Sequence, residues 1–441
     1  MKLHSLLVLL CAYILALLAP VQAHSVTGNK VLVLLDDLAQ KATYSRFWQS
    51  LTDRDYKLVF KTASEADATL YYFGERLYNH IIHFAPKAEI LSQHGGIGNI
   101  QLVKFVNDGG NLLVAVDEDA SRAVKDLASE FDVEYDHGNN KVFDHNALPH
   151  DIIAADDIVA PNTIIESDSV RGPVLYKGIG LFVGPTPLLN RVLTTGPDAF
   201  SADSYREGAK HEQIDLVASL QARNSARATF AGSLALFSDE LYESSPAKSS
   251  KSHEKVSGNA AFISQLVEWT FQEKSVLKLV SHRHHRVNET KQPEWYRVKD
   301  HMDYILEVSE YKNRQWAPFK ADDIQLEVIM LDPYIRTTMK QLHVEKHHHF
   351  GRFMAHVQLP DVYGVFTLRV NYKRAGLSYL LAEDVVAIRP FRHNEYPRFL
   401  IAAYPYYASV GSMIVGFLVF SIVWLSTWGT KEITPSKEKT Q

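Results

Sequence analysis

From Phe399 to Thr430 the chain carries no charged side chain: FLIAAYPYYASVGSMIVGFLVFSIVWLSTWGT. Such a run can cross a hydrocarbon core, which takes about 20 apolar residues. Everything else must therefore fold before residue 399, leaving only a short tail beyond 430. Tyr404, Tyr406 and Tyr407 gather at one end and Trp424 and Trp428 at the other, as aromatic side chains do at membrane–water boundaries. A buried core helix would need a covering partner, and the chain stops too soon to supply one. The span is read as residues 403–428, with Gly411, Ser412 and Gly416 as a small-residue face for packing against other helices.

Which side the body occupies is set by the other end. MKLHSLLVLLCAYILALLAPVQAHS has a basic start at Lys2 and an apolar stretch from Leu6 to Leu18. Pro20 breaks that stretch, and the small-residue positions Val21 and Ala23 precede a cut after Ala23. Residues 1–23 are thus read as a signal peptide, with an uncleaved anchor as the second reading, and the chain as a type I membrane protein. The flanking charges do not decide the matter: Arg389, Arg392 and Arg398 precede the span, and three lysines follow it. In the tail, 429–441, Lys437 and Lys439 stand fifth and third from the C-terminus. On the cytosolic side that spacing is a dilysine signal for retrieval to the endoplasmic reticulum, a receptor-read address. The bland alternative is a basic juxtamembrane tail that attracts anionic lipid.

The single cysteine, Cys11, lies in the segment to be removed, so neither a disulfide scaffold nor a thiol nucleophile nor a zinc–thiolate site is available. The formal charge of −5 over 441 residues leaves no nucleic-acid footprint.

From Lys30 strands alternate with helices. KVLVLLDD, YKLVFKT, LYNHIIHFAP and NLLVAV read as buried strands; YSRFWQSLTDRD, NIQLVKFVNDGG and EDASRAVKDLASEF read as helices. That predicts a doubly wound, Rossmann- or flavodoxin-like α/β domain over 24–160. Residues 161–280 form a less regular middle α/β region, in which IDLVASLQA and ARATFAGS are strands and AAFISQLVEWTFQE is a helix. Its ESSPAKSSKSHEKVSG stretch reads as a surface loop. Residues 281–398 alternate with period two and predict an antiparallel, sandwich-like β domain.

Candidate chemistry is sparse. A doubly wound domain presents ligands at the carboxyl ends of its strands, where Asp36, Asp37, His83, Pro86, Gly109 and Gly110 fall. No G-x-G-x-x-G follows a strand, so the acids are read first as helix caps. Asp117 and Asp119 share the D-x-D spacing of metal-holding transferases, a spacing that helix starts also produce. His282, His284, His285 and His347 to His349 lack zinc-site spacing and are placed in loops. No metal or cofactor is predicted. One sequon, Asn288-Glu289-Thr290, falls in the linker before the β domain.

Five stretches, VLVLLDDLAQKATYSRFWQSLTDRDYKLVFKTA, IDLVASLQARNSARATFAGSLALFSDE, DDIQLEVIMLDPYIRT, LPDVYGVFTLRVNY and AYPYYASVGSM, occur in this order from Lys30 to the span. Together they resemble the 48 kDa subunit family of the oligosaccharyltransferase complex. The resemblance implies a non-catalytic accessory subunit of the endoplasmic reticulum enzyme that moves preassembled oligosaccharide from dolichyl diphosphate to Asn-X-Ser/Thr. It also implies partners: a catalytic polytopic subunit, ribophorin-like subunits, a small polytopic partner (defender against cell death), and dolichol-linked oligosaccharide. The N-terminal domain is similar to sugar-binding modules, which makes Asp36 and Asp37 candidates to face glycan. The histidine clusters lie outside the matching strings. Without the resemblance, the residues leave open a retrieved cargo receptor and a lumenal glycan-processing enzyme using Asp117, Asp119 or the histidines.

Overall fold

The computed structural model describes residues 24–63, 69–88, 97–136, 141–144, 152–196, 199–201, 213–243, 257–343, 348–396 and 401–429. The cut after Ala23, His347, Lys437, Lys439 and most of the Ser/Lys-rich stretch lie outside the described residues.

Ten strands make the first sheet: β1 (Lys30–Leu35), β2 (Lys57–Thr62), β3 (His80–Phe84), β4 (Asn111–Ala115), β5 (Val133–Tyr135), β6 (Asp157–Ile158), β7 (Leu181–Val183), β8 (Leu189–Thr194), β9 (Asp215–Gln221) and β10 (Arg227–Ala231). The parallel core runs β2-β1-β3-β4-β10, and β9, β8 and β6 continue it antiparallel. The helices are α1 (Ser45–Thr52), α2 (Asn99–Asn107), α3 (Arg122–Ser129), α4 (Asp239–Glu243), α5 (Asn259–Thr270) and the apolar α6 (Tyr404–Thr427). Alternate residues of β1 serve opposite faces of the sheet. Val31, Val33 and Leu35 join Phe47 and Trp48 of α1 and Phe262 and Trp269 of α5 in one core. Leu32 and Leu34 join Leu102 and Phe105 of α2 and Leu127 of α3 in another. A strand covered on both faces must be apolar at every position, which is why KVLVLL has no polar alternation.

The boundary drawn at residue 160 does not divide two units. β10, from the middle region, is the parallel neighbour of β4 at the heart of the sheet. Local periodicity identifies such a strand but is blind to its neighbour.

The second unit begins earlier than residue 281. Its strands are β11 (Val276–Arg286), β12 (Trp295–Arg297), β13 (His301–Lys312), β14 (Gln315–Pro318), β15 (Gln325–Met330), β16 (Asp332–Thr338), β17 (Lys340–Leu342), β18 (Gly351–Gln358), β19 (Gly364–Tyr372) and β20 (Leu380–Arg389). They form two five-stranded sheets, β11-β13-β18-β17 with β14 beside β13, and β12-β20-β19-β15-β16. Pairing is antiparallel except that β12 runs parallel to β20, which departs from the all-antiparallel expectation. Tyr304, Leu306 and Phe353 of one sheet share a core with Leu326, Phe366, Leu368 and Ile388 of the other.

Arg227, the first residue of β10, ties the two units together. Its guanidinium is fully buried and has no carboxylate partner among the described residues. It donates to Gln221 Oε1 at 2.9 Å and to the carbonyls of Trp269, Lys274 and Ser275 at 2.6, 2.8 and 2.7 Å, and it lies 4.6 Å from the Trp269 ring centre. Burial lowers its pKa from the ordinary value to about 9. Trp269 Nε1 donates to Gly376 O at 2.7 Å in the β19–β20 turn. Gly376 has φ +76°, and a Cβ there would collide with Thr163, so the turn requires glycine.

Candidate functional site at the carboxyl end of the parallel strands

The parallel order reverses between β1 and β3, and in open α/β sheets the crevice at such a reversal is where ligands bind. Asp36 and Asp37 follow β1; Pro86 and Lys87 follow β3; Asp117, Glu118 and Asp119 follow β4. The Lys87 amide donates to Asp36 Oδ2 at 3.3 Å across the reversal, and Lys87 Nζ lies 3.0 Å from Asp119 Oδ2. Asp37 Oδ1 accepts from the Ala39 amide at 3.0 Å and caps the turn of 3-10 helix Leu38–Tyr44. Asp117 Oδ1 accepts from the Glu118 amide at 2.9 Å, and Glu118 pairs with Lys141 at 2.6 Å.

Burial pushes the half-buried Asp36 carboxyl above the usual carboxylate range, against the opposing Lys87 amide and ammonium. Burial raises Asp117 in the same way, against its bond from the Glu118 amide. The Tyr44 hydroxyl is pushed up to about 12, chiefly by burial and then by the charges of Asp117 and Asp36. Two reluctant carboxylates, a phenol and an ammonium thus converge on one strand edge. In such a set the carboxylates can accept hydrogen bonds from ligand hydroxyls and the ammonium can donate them.

The sequence-predicted residues separate here. Asp36, Asp117 and Asp119 come together with Lys87; Asp37 is occupied by its cap. Neither Asp117 nor Asp119 caps α3, because Ser121 Oγ accepts from the Val124 amide and takes that role. His83 lies inside the sheet, fully buried, with neither ring nitrogen hydrogen-bonded among the described residues, and burial holds its pKa down to about 4. Gly109 and Gly110 close α2 at the opposite, amino end of β4. Among the described residues no group of three His, Cys, Asp or Glu side chains could hold a metal.

His282, His284 and His285 are on strand β11 and not in a loop. His282 bonds Asp384 at 2.7 Å and His284 bonds the Tyr296 hydroxyl at 2.8 Å. Asn288 is exposed in the turn after β11, inside the β domain and not in a linker before it. A cleft of about 480 Å³ between the units is lined by Arg54, Glu166, Glu273 and Lys312 among others. Two ion pairs cross it, Arg54 with Glu273 at 3.0 Å and Lys312 with Glu166 at 3.1 Å, and the second joins the two units.

Two family descriptions match the chain: OST48, N-terminal domain, over residues 22–273, and OST48 middle domain, over residues 284–428. The chain belongs to the OST48 family. Relatives named dolichyl-diphosphooligosaccharide–protein glycosyltransferase 48 kDa subunit are 37% identical in Arabidopsis thaliana, over 90% of this chain and 93% of the relative. They are 36% identical in Danio rerio, over 92% and 94%, and 36% identical in Drosophila melanogaster, over 94% and 95%. A solved putative ThuA-like protein from Parabacteroides merdae is 12% identical, covers 55% of this chain and 90% of its own, and has a TM-score of 0.30, too low to carry an argument.

The strings that carried the family resemblance have identifiable places in the OST48 chain. LQARNSAR is the β9–β10 turn ending in Arg227, and LPDVYGVF is the loop entering β19. The role of Arg227 escaped sequence reasoning. Its one local signal is an arginine opening the apolar strand RATFA, every residue of which is buried.

Proposed function

We propose that this OST48 chain is a non-catalytic accessory subunit of the endoplasmic reticulum oligosaccharyltransferase, supporting assembly and transfer of oligosaccharide from dolichyl diphosphate to Asn-X-Ser/Thr. The observation that carries this is its 36–37% identity, across at least 90% of both chains, to relatives bearing that subunit's name. That likeness favours a subunit over a cargo receptor or a lumenal processing enzyme. In this reading the parallel core is flavodoxin-like, the second unit is a β-sandwich, and both are lumenal, with 401–427 spanning the membrane as type I. Partners are the catalytic polytopic subunit, ribophorin-like subunits and the small polytopic partner. Purification from native membranes in mild detergent should recover the chain with a polytopic glycosyltransferase; a lone monomer would sink the reading.

Two finer assignments accompany it. Asp36, more than the already capped Asp37, faces glycan; Asp36→Asn should weaken binding of lipid-linked oligosaccharide to the assembled complex, and unchanged binding would remove the assignment. Lys437 and Lys439 act as the retrieval signal. Replacing both with serine should release an unassembled chain to the cell surface, and retention of that chain would refute the signal.

A further inference from the structure

The second unit has two distinct ends. At one end the β19–β20 turn, with Ala375 and Gly376, and the end of β13, with Lys312, bind the first unit. β20 runs away from that end and finishes at Arg389, where the chain turns through 392–395 and folds back. Arg389 Nη1 and Nη2 hold Glu395 at 2.9 and 3.0 Å, and the Phe391 and Tyr396 rings lie 5.6 Å apart. From Tyr396 to Ile401, where the apolar helical segment begins, the extended chain spans at most about 18 Å. The end of the sheet at Arg389 is therefore tethered close to the start of that helix.

This same end carries unusual apolar exposure. β15 and β16 join in a hairpin whose tip, Leu331, is 99% exposed at φ +69°. Leucine rarely adopts that backbone region, and nothing among the described residues covers the side chain. The tip leans on the loop entering β19, because a Cβ on Gly364 would meet Met330 Sδ at 2.8 Å. That loop and strand present Tyr363 at 69% and Val365 at 62% exposure, and Tyr334 of the hairpin is half exposed beside the Phe366 ring. Three charge pairs at this end close on themselves, Lys299 with Asp361 at 2.7 Å, Arg297 with Asp300 at 3.2 Å, and Arg389 with Glu395, and the charge next to the tip is the exposed acid Asp332.

We propose that the β15–β16 tip and the loop before β19, led by Leu331 and Tyr363, dip into the lipid bilayer beside α6 and fix the tilt of the β domain. The occupant is lipid for three reasons. The tether holds this end near the bilayer entry point. A tip of one aliphatic and one aromatic side chain suits the boundary between headgroups and acyl chains. The cations at this end are paired and the charge beside the tip is the acid Asp332, so binding rests on apolar insertion and needs no anionic lipid.

The proposal depends on residues 401–427 spanning a bilayer, so insertion of the helix is measured separately by alkaline extraction of the same preparation. With Cys11→Ser removing the only cysteine, Leu331→Cys in the full chain accepts an environment-sensitive fluorophore. The chain is placed in phosphatidylcholine vesicles with and without bromine near the carbonyl end of the acyl chains. The label at 331 should be blue-shifted and quenched by brominated lipid, with or without high salt. A label at exposed Lys320→Cys, at the opposite end, should be neither. A water-exposed signal at 331 in extraction-resistant protein overturns the proposal. In the native complex, a blue-shifted but unquenched label would mean that a partner protein covers the tip, which also overturns it. Because Leu331 is 99% exposed, the variant should keep the wild-type melting temperature.

Discussion

Replacing Arg227 with methionine should weaken the coupling between the two units. Methionine keeps the length and apolar stem of the side chain and removes every donor. Lost with them are three bonds of 2.6 to 2.8 Å from a cation to the carbonyls of Trp269, Lys274 and Ser275. A hydrogen bond to a charged group contributes about 1.5–3 kcal/mol net. Two of the carbonyls retain another donor, the Gln272 amide on Trp269 O and the Ser378 amide on Ser275 O, so the low end applies. The expected loss is about 4.5 kcal/mol, or ~9–18 °C in melting temperature for a domain of this size. Thermal melting followed by near-ultraviolet circular dichroism reads the loss. Limited proteolysis should then cut at residues 273–276, where the first unit hands over to β11. Arg227→Lys, with one ammonium in place of a planar fork, should fall between the two. An Arg227→Met protein melting within ~2 °C of wild type would refute the reasoning, because charge burial would then cancel the bonds.

Three further outcomes follow from the same structure. His80 and His83 are fully buried and neutral, each lowered from 6.5 to about 4, so stability from both is complete above pH 6.5 and falls as pH drops toward 4. His83→Leu removes two unpartnered nitrogens; it should raise stability by about 1–3 kcal/mol at neutral pH and flatten the acid slope seen in denaturant titrations at several pH values. Asp117 has a raised pKa, so its ionised form costs stability above the ordinary carboxylate range; Asp117→Asn should stabilise at pH 7, and the gain should fade as acid protonates the wild type. A gain that persisted at low pH would contradict this. Asn288 is exposed in its turn, and an endoglycosidase mobility shift should be present in the wild type and absent in Thr290→Ala.

Much of the N-terminal architecture is legible in sequence because burial on both faces forces unbroken apolar runs. KVLVLL, HIIHF and NLLVA appear as strands for that reason. The candidate site is only partly legible. Acids after β1 and β4 can be counted off, but whether a carboxylate caps, pairs or waits depends on which amide arrives: Ala39 for Asp37, Lys87 for Asp36, Glu118 for Asp117. The histidines of β11 read as a solvated loop because SHRHHR offers no apolar residue to mark a strand. In the fold, neighbours 102 and 12 residues away, Asp384 and Tyr296, receive them.

The sequence by itself determined the apolar helix, the α/β and β-rich halves, and the family resemblance. Each of these depends on composition or spacing along the chain. Only the tertiary structure decided that β10 completes the parallel core, that a buried guanidinium locks the two units, and that Leu331 stands bare at the end tethered to the helix. Those facts depend on pairings between residues distant in sequence. A side chain's solvation is set by what packs against it, and local periodicity carries no record of a partner more than a hundred residues away.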